Sequence, residues 1–164
     1  MKILYFGGQK SGKSKLAESK TLELCYDKKP YYIATYDNTY ADLEMQERLW
    51  QHLWQREDKF ETIEEPFDLP LVIEQRGTYL VECISMWILN TLDMPLKELF
   101  SQLSVLEKKD ANIVFVLNDV NSGVIPIEKE SRTFVDRTGV IGQKLASFCD
   151  EVYEVKLGLP IQLK

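Results

Sequence analysis

The segment GGQKSGKS, residues 7–14, constrains the fold more than any other stretch of this sequence. It follows the short apolar run KILYF and precedes a segment whose apolar residues recur at helical spacing. It matches the pattern G-x-x-x-x-G-K-[ST], in which a glycine-rich turn between a strand and a helix aims backbone N–H groups and the helix dipole at phosphate oxygens. We therefore predict that a nucleoside triphosphate binds at this turn, through Gly7, Gly8, Gln9, Lys10, Ser11, Gly12, Lys13 and Ser14.

Within this pattern, two side chains have distinct expected roles. Lys13 is placed to reach the terminal phosphates, and the hydroxyl of Ser14 is placed to ligate Mg²⁺. A second metal ligand, an acidic residue, is expected at the end of a neighbouring strand. Glu82 ends the apolar run TYLVE and occupies such a position. Glu82 is therefore predicted to be a catalytic and metal-binding residue, although a solvated carboxylate at a strand end is the alternative. Asp119, at the end of NIVFVLND, is a weaker candidate for the same role.

The pattern along the chain predicts an α/β fold with a mostly parallel sheet. Strand-like runs are continuously apolar and alternate with helical segments, which is typical of parallel strands covered on both faces. We predict one P-loop (RecA-like) three-layer domain over residues 1–164. The predicted strands are 2–6, 31–35, 60–63, 78–81, 112–117, 152–155 and 161–163; the predicted helices are 14–26, 41–56, 85–92, 95–108 and 132–148. Residues 64–77 have no clear pattern.

Composition excludes several classes of function. The net charge is −6 and no Lys/Arg cluster dominates, which disfavours a nucleic-acid surface. Cys25, Cys83 and Cys149 are far apart and form no CxxC pair, so neither a disulfide framework nor a zinc site is expected. The apolar N-terminal run is too short for a signal peptide or a membrane span. These features predict a cytoplasmic protein with no membrane span.

The only histidine of the chain lies in RLWQHLWQR, residues 48–56. On a helix, residues four apart share a face, so Arg48, His52 and Arg56 form one polar stripe. One interpretation is a solvated basic face. The other is an anion site, in which two guanidinium groups hold phosphate oxygens and keep the imidazole neutral. A neutral imidazole beside held phosphates is a candidate nucleophile for attack at a nucleotide phosphorus.

Segments throughout the chain match, in the same order, the motifs of one enzyme family. GGQKSGKS and YYIATY are followed by EMQERLWQHLWQREDKFETIEEP, LVECISMWILN and VLNDVNSGVIP. The C-terminal part continues with RTFVDRTGVIGQKLASFCDEVYEV and ends with GLPIQLK. In this order and over nearly the whole chain, the sequence resembles the bifunctional adenosylcobinamide kinase / adenosylcobinamide-phosphate guanylyltransferase family.

The resemblance implies a substrate, two steps and an assembly. The substrate is a corrinoid, adenosylcobinamide, whose aminopropanol arm is phosphorylated; GMP from GTP is then transferred to that phosphate. The resemblance further implies that His52 becomes guanylylated, that ATP or GTP and Mg²⁺ take part, and that the protein is a homotrimer. Beyond the phosphate loop, the implied nucleotide contacts are Thr35, Tyr36, Asp37, Leu53, Trp54, Gln55, Arg56, Glu64 and Glu82.

This sequence also departs from the family pattern. Glu57 stands at a usual proline and Phe60 at a tryptophan; Asp119, Asn121, Val135 and Gly142 stand at a glutamate, a glycine, an arginine and an asparagine. Most departures lie in the C-terminal half. Two other hypotheses therefore remain open from the sequence: a small-molecule P-loop kinase in which His52 is idle, and a nucleotide-binding module without catalysis. Trp50, Trp54 and Trp87 are candidates for contact with a neighbouring subunit.

Overall fold

A computed structural model describes residues 1–25, 28–37 and 58–164. The strands in this part of the chain are β1 (Lys2–Gly7), β2 (Tyr31–Ala34), β3 (Glu61–Glu64), β4 (Thr78–Glu82), β5 (Asn112–Asn118), β6 (Glu151–Lys156) and β7 (Leu159–Gln162). The helices are α1 (Lys13–Glu23), α2 (Leu69–Val72), α3 (Ile84–Asn90), α4 (Leu96–Lys108) and α5 (Lys129–Phe148). The helix predicted over 41–56 lies outside the described residues.

The described strands form one sheet in the order β3-β2-β4-β5-β1-β6-β7. All neighbours are parallel except β6 and β7, which pair antiparallel. Because β5 lies between β1 and β4, the strand that leads into the phosphate loop is one strand removed from the strand that ends in Glu82. The predicted α/β class with a mostly parallel sheet, consistent with a P-loop NTPase fold, is confirmed.

Helices cover both faces of the sheet. Successive residues of a central strand point to opposite faces, so each central strand contributes side chains to two cores. On β5, Ile113, Phe115 and Leu117 pack into the larger core, which also contains Leu69 of α2, Trp87 of α3, Leu103 of α4 and Ile141 of α5. The alternate residues Val114 and Val116 pack into a second core with Ala17 of α1. This arrangement accounts for the continuous apolar strand sequences.

Several local features of the structure differ from the sequence-based predictions. The short helix α2 was not predicted, since its single turn is held by burial of Leu69 in the larger core and not by a repeating pattern. Helix α5 begins at Lys129, three residues before the predicted start. Trp87 is completely buried in its own chain, and its indole Nε1 donates to the carbonyl oxygen of Phe67 at 2.9 Å. The prediction that Trp87 contacts a neighbouring subunit was therefore wrong.

No helix in the described ranges is both long enough and apolar enough to cross a bilayer.

Burial of the Cys149 thiol predicts a loss of stability at alkaline pH. Cys149 is fully buried at the end of α5, and desolvation raises its pKa from 9.0 to about 12. Between these values the unfolded chain loses the thiol proton while the folded chain keeps it, so the free energy of unfolding falls as the pH rises. For this group we expect a loss of about 2 kcal/mol between pH 8 and pH 10.5.

Urea denaturation at the two pH values, under reducing conditions, measures this loss. A Cys149→Ala variant should be less stable at pH 8 but should show a shallower decline with pH than the wild type. If the free energy of unfolding declined equally with pH in the two proteins, the Cys149 thiol would not be the group responsible.

Candidate nucleotide-binding site

The phosphate loop connects β1 to α1 and depends on glycine at two positions. A Cβ on Gly7 would lie 2.4 Å from the carbonyl oxygen of Val155, so the close approach of β6 excludes a side chain there. Gly12 has a φ of +94°, which L side chains rarely adopt, and a Cβ on it would lie 3.1 Å from the Cα of Gly158. Sequence reasoning assigned these glycines to the turn. The structure adds that β6 leaves no room for a side chain at Gly7 and that the backbone angles at Gly12 favour glycine.

The hairpin between β6 and β7 supports the loop from one side. Its two-residue turn consists of Leu157 and Gly158, with φ values of +53° and +80°, which is the geometry of a type I′ turn. The N–H of Gly158 donates to the carbonyl oxygen of Ser11 at 2.8 Å. This hydrogen bond connects the hairpin to the backbone of the phosphate loop.

Lys13 is held inside the loop, not in solvent. Its side chain is only 6% exposed, and its Nζ donates to the carbonyl oxygen of Gly8 at 3.2 Å. Desolvation lowers the pKa of this ammonium group, while the nearby Glu82 carboxylate opposes that shift. An ammonium group that has lost part of its hydration interacts more strongly with an incoming phosphate than a solvated one.

Ser14 and Glu82 meet although they are far apart in sequence. The Ser14 hydroxyl donates to the Glu82 Oε1 at 2.7 Å, which brings the first turn of α1 to the carboxyl end of β4. Both groups offer oxygen atoms to the same point, and oxygen ligands are what Mg²⁺ prefers. The two residues predicted to bind the metal therefore form a suitable donor pair.

Thr35 joins the carboxyl ends of β2 and β4. Its hydroxyl lies 2.8 Å from the carbonyl oxygen of Glu82 and 2.9 Å from that of Cys83. The side-chain amide of Asn90 donates to the carbonyl oxygens of Thr35 and Pro66, at 2.7 and 3.1 Å. These contacts position Glu82 for Ser14.

Asn90 was missed as a site residue by sequence reasoning. It ends the motif LVECISMWILN, and that position was the available signal. No role followed from it because the partners of Asn90 are distant in sequence.

The remaining predicted residues are distributed along the same edge of the sheet. Register pairs Ala34 with both Glu64 and Glu82, so the two carboxylate-bearing residues flank the end of β2. Tyr36 is 8% exposed and Asp37 is partly buried, both directly after β2. Gln9 and Lys10 form the exposed outer part of the phosphate loop. The predicted site residues outside the described part of the chain are Arg48, His52, Leu53, Trp54, Gln55 and Arg56.

Asp119 occupies a different position from Glu82. Its N–H donates to the carbonyl oxygen of Gly7 at 2.9 Å, so it follows β5 directly beside the phosphate loop. Its carboxylate accepts hydrogen bonds from the N–H of Asn121 at 3.0 Å and from the Ser122 hydroxyl at 2.7 Å. Of the two acidic candidates, Glu82 is the one that contacts Ser14.

Cys83 has an unfavourable backbone conformation at the edge of this site. It follows Glu82 with a φ of +84°, which costs about 1–3 kcal/mol for a residue other than glycine and is found most often at functional sites. Burial raises the pKa of its thiol to about 11. The thiol is therefore protonated at neutral pH, and Cys83 is not equipped to act as a thiolate nucleophile.

In the described part of the chain, no group of three or more His, Cys, Asp and Glu side chains could hold a metal ion by itself. A metal held by Ser14 and Glu82 would need further ligands from the phosphates and from water, which is how Mg²⁺ is usually bound beside nucleotides.

The fold and the loop define the class of protein: an α/β P-loop protein that binds a nucleoside triphosphate. A family profile described as "Cobinamide kinase / cobinamide phosphate guanyltransferase" matches residues 3–163, and the chain belongs to that family. The sequence-based identification of the family is thereby confirmed.

Individual relatives agree with this assignment. The chain is 34% identical to the bifunctional adenosylcobalamin biosynthesis protein CobP of Pseudomonas aeruginosa, over 100% of this chain and 98% of the relative. It is 27% identical to the bifunctional adenosylcobalamin biosynthesis protein CobU of Escherichia coli and 29% identical to the protein of that name from Salmonella typhimurium. Both of these matches cover 100% of each chain.

Proposed function

We propose that this chain phosphorylates adenosylcobinamide and then transfers GMP from GTP to the new phosphate. The observation that carries the proposal is the contact between Ser14 and Glu82 at 2.7 Å, at the mouth of a loop that already contains the buried Lys13 ammonium group. This arrangement serves both steps, because each displaces a group from a bound triphosphate.

In the first step, the hydroxyl oxygen of the aminopropanol arm attacks the γ-phosphorus of the bound triphosphate. A new P–O bond forms, the bond from the γ-phosphorus to the bridging oxygen breaks, and the diphosphate leaves. Lys13 stabilises the charge on the leaving phosphates. Glu82 or Asp119 accepts the hydroxyl proton.

Ser14 and Glu82 would hold Mg²⁺, whose positive charge neutralises phosphate oxygens when it is bound.

In the second step, we assign the nucleophile to His52. Its imidazole nitrogen attacks the α-phosphorus of GTP, an N–P bond forms, and pyrophosphate leaves. A phosphate oxygen of the phosphorylated acceptor then attacks the same phosphorus, the N–P bond breaks, and the imidazole is released. Arg48 and Arg56 stabilise the charge on the phosphorus oxygens. The family resemblance and the four-residue spacing of this stripe support the assignment.

The proposal also includes the setting in which the enzyme works. One domain over residues 1–164 would carry both steps, with ATP or GTP as the phosphate donor, in a cytoplasmic homotrimer. The three cysteines are all free, which suits a reducing compartment. The homotrimer rests on the resemblance to the family.

The test is incubation of the wild-type protein with GTP labelled in the α-phosphate, followed by denaturation. The expected result is label on the protein that is labile in acid and stable in alkali, as a phosphoramidate is. If phosphorylated acceptor is added before denaturation, the label should move from the protein to the product. GTP labelled in the γ-phosphate is the matched control and should leave no label, because the terminal phosphate departs with pyrophosphate.

The alternatives predict different outcomes. Phosphorylation of the acceptor without protein label would indicate a monofunctional kinase. Nucleotide binding without either reaction would indicate a module that has lost catalysis.

A further inference from the structure

A cavity of about 420 Å³ opens beside the phosphate loop, on the opposite side from the predicted nucleotide contacts. It lies between α5 and the carboxyl ends of β5, β1 and β6. Asn118, which lines it, is the register partner of Gly7, and Asp119, which also lines it, is bonded to the backbone of Gly7. The cavity is therefore directly adjacent to the first glycine of the phosphate loop.

The predicted nucleotide contacts lie on the other side of the loop. Thr35, Glu64 and Glu82 close β2, β3 and β4, which form one half of the sheet. Among the described residues, none of these predicted contacts lies on the side of β1, β5 and β6, where the cavity opens. Because an acceptor must reach the γ-phosphorus from the side opposite the leaving group, it needs a space beside the loop that the nucleotide does not fill, and the cavity is such a space.

The lining of the cavity does not suit a second nucleotide. Its floor is apolar and includes Leu4, Leu117 and Val152. Among its described lining residues there is no lysine or arginine, whereas Asp119 and Glu154 contribute carboxylates. A triphosphate would be repelled here. An uncharged organic group with an apolar body fits, and the rim, which includes Asn118, Asn121 and Gln143, offers amides for hydrogen bonds.

The shape of the cavity depends on small residues of α5. Gly139, Gly142 and Ala146 line one side of it at three- and four-residue spacing, which places them on one face of the helix. A Cβ on Gly142 would lie 3.2 Å from the Cδ2 of Leu117, so a side chain at this position would press on Leu117 and narrow the cavity. The Asn121 amide donates to the carbonyl oxygen of Val135 at 2.9 Å and ties the loop after β5 to the helix.

We propose that this cavity is the acceptor subsite, which binds an uncharged, amide-bearing arm of the corrinoid and directs its hydroxyl group to the phosphate loop. The volume holds an arm and not a corrin ring, so the ring itself lies outside. This inference rests on the proposed function, because it assumes that the acceptor is a cobinamide.

Filling the cavity tests the proposal. In a Gly142→Leu variant, the new side chain occupies the space of the arm, while leucine has a higher helix propensity than glycine. We expect the KM and the Kd for cobinamide to rise at least about tenfold, which is the change that the loss of one well-packed contact produces. The KM for the nucleotide and the labelling of the protein by α-labelled GTP should be unchanged. A Ser147→Leu variant adds bulk to the same helix outside the cavity and should behave as the wild type.

A second variant keeps the experiment decisive if Gly142→Leu does not fold. Gln143→Ala removes a rim amide at an exposed position of α5, and the Kd for cobinamide should rise about three- to tenfold if that amide bonds the arm. The Kd is measured by equilibrium dialysis, which needs no catalysis.

The proposal would be overturned if Gly142→Leu and Gln143→Ala, where they fold, bound cobinamide as tightly as the wild type. It would also be overturned if these variants lost nucleotide affinity as much as cobinamide affinity. Absence of labelling and kinase activity in the wild type would instead refute the proposed function, so the two failures are distinguishable.

Discussion

A Lys13→Met variant is expected to lose both reactions, each by at least about 10³-fold, the effect of removing a cation that stabilises phosphoryl charge in the transition state. The methionine side chain is unbranched like that of lysine and one heavy atom shorter, so it fills most of the same space but carries no charge. Lys13 is 6% exposed as a residue and its ammonium group is bonded to the carbonyl oxygen of Gly8, so water cannot readily substitute for that group. Steady-state rates of acceptor phosphorylation and of GMP transfer measure the two losses.

The same variant separates a catalytic role of Lys13 from a structural one. Desolvation lowers the pKa of this group, which means that the folded protein holds the charge at a cost. Removing it should leave the thermal midpoint unchanged or raise it, while the stabilisation normally produced by GTP disappears. Lys15, the next lysine of α1, is exposed, so Lys15→Met is the matched control. A fall in the midpoint together with retained activity would contradict the assignment.

The phosphate loop could be predicted from the sequence because its determinants are local. One strand, one turn and one helix start fix it, and each has its own pattern within residues 2–24. The acidic residue at the end of β4 was also predictable, since parallel strands end at one edge of the sheet and TYLVE marks such an end. The structure adds the contact between Ser14 and Glu82, which spans 68 positions of the chain.

Other parts of the site depend on contacts that no local pattern encodes. Asn90 bonds the carbonyl oxygens of Thr35 and Pro66, which come from two other segments. The cavity beside α5 is lined by Gly142 of the helix and Leu117 of β5, and neither residue identifies the other in the sequence. Trp87 was misassigned for the same reason: an amphipathic aromatic residue suits an interface or a core, and only the packed structure distinguishes them.

In the proposed function, one phosphate loop would serve both reactions. The loop and the ends of β2, β3 and β4 provide polar and charged groups, whereas the side of β1, β5 and β6 provides an apolar space beside the loop. Kinase chemistry needs an acceptor at the γ-phosphorus, and nucleotidyl transfer needs a nucleophile at the α-phosphorus. A triphosphate held by the loop would present these two atoms at different positions, so the proposed function needs no second nucleotide site.

A His52→Ala variant is expected to lose GMP transfer by at least about 10⁴-fold, because removal of a covalent nucleophile abolishes its pathway and leaves only binding and charge stabilisation. Acceptor phosphorylation should stay within about threefold of the wild-type rate, since phosphoryl transfer by a P-loop enzyme needs no covalent intermediate. The two rates are measured on the same preparation, with ATP for the first and GTP with phosphorylated acceptor for the second. Gln51→Ala, at the preceding position, is the control and should retain both.

Chemical complementation distinguishes a nucleophile from a residue that only orients the substrate. A His52→Gly variant leaves room for an imidazole ring, and guanosine 5′-phosphorimidazolide carries both the ring and the N–P bond that His52 would have formed. With this compound in place of GTP, transfer of GMP to the phosphorylated acceptor should be restored in His52→Gly, because the only step that required the missing side chain has already taken place. If the variant transfers GMP from neither donor while the acceptor is still phosphorylated, His52 supports the site in another way; if it transfers GMP from GTP at the wild-type rate, the nucleophile lies elsewhere.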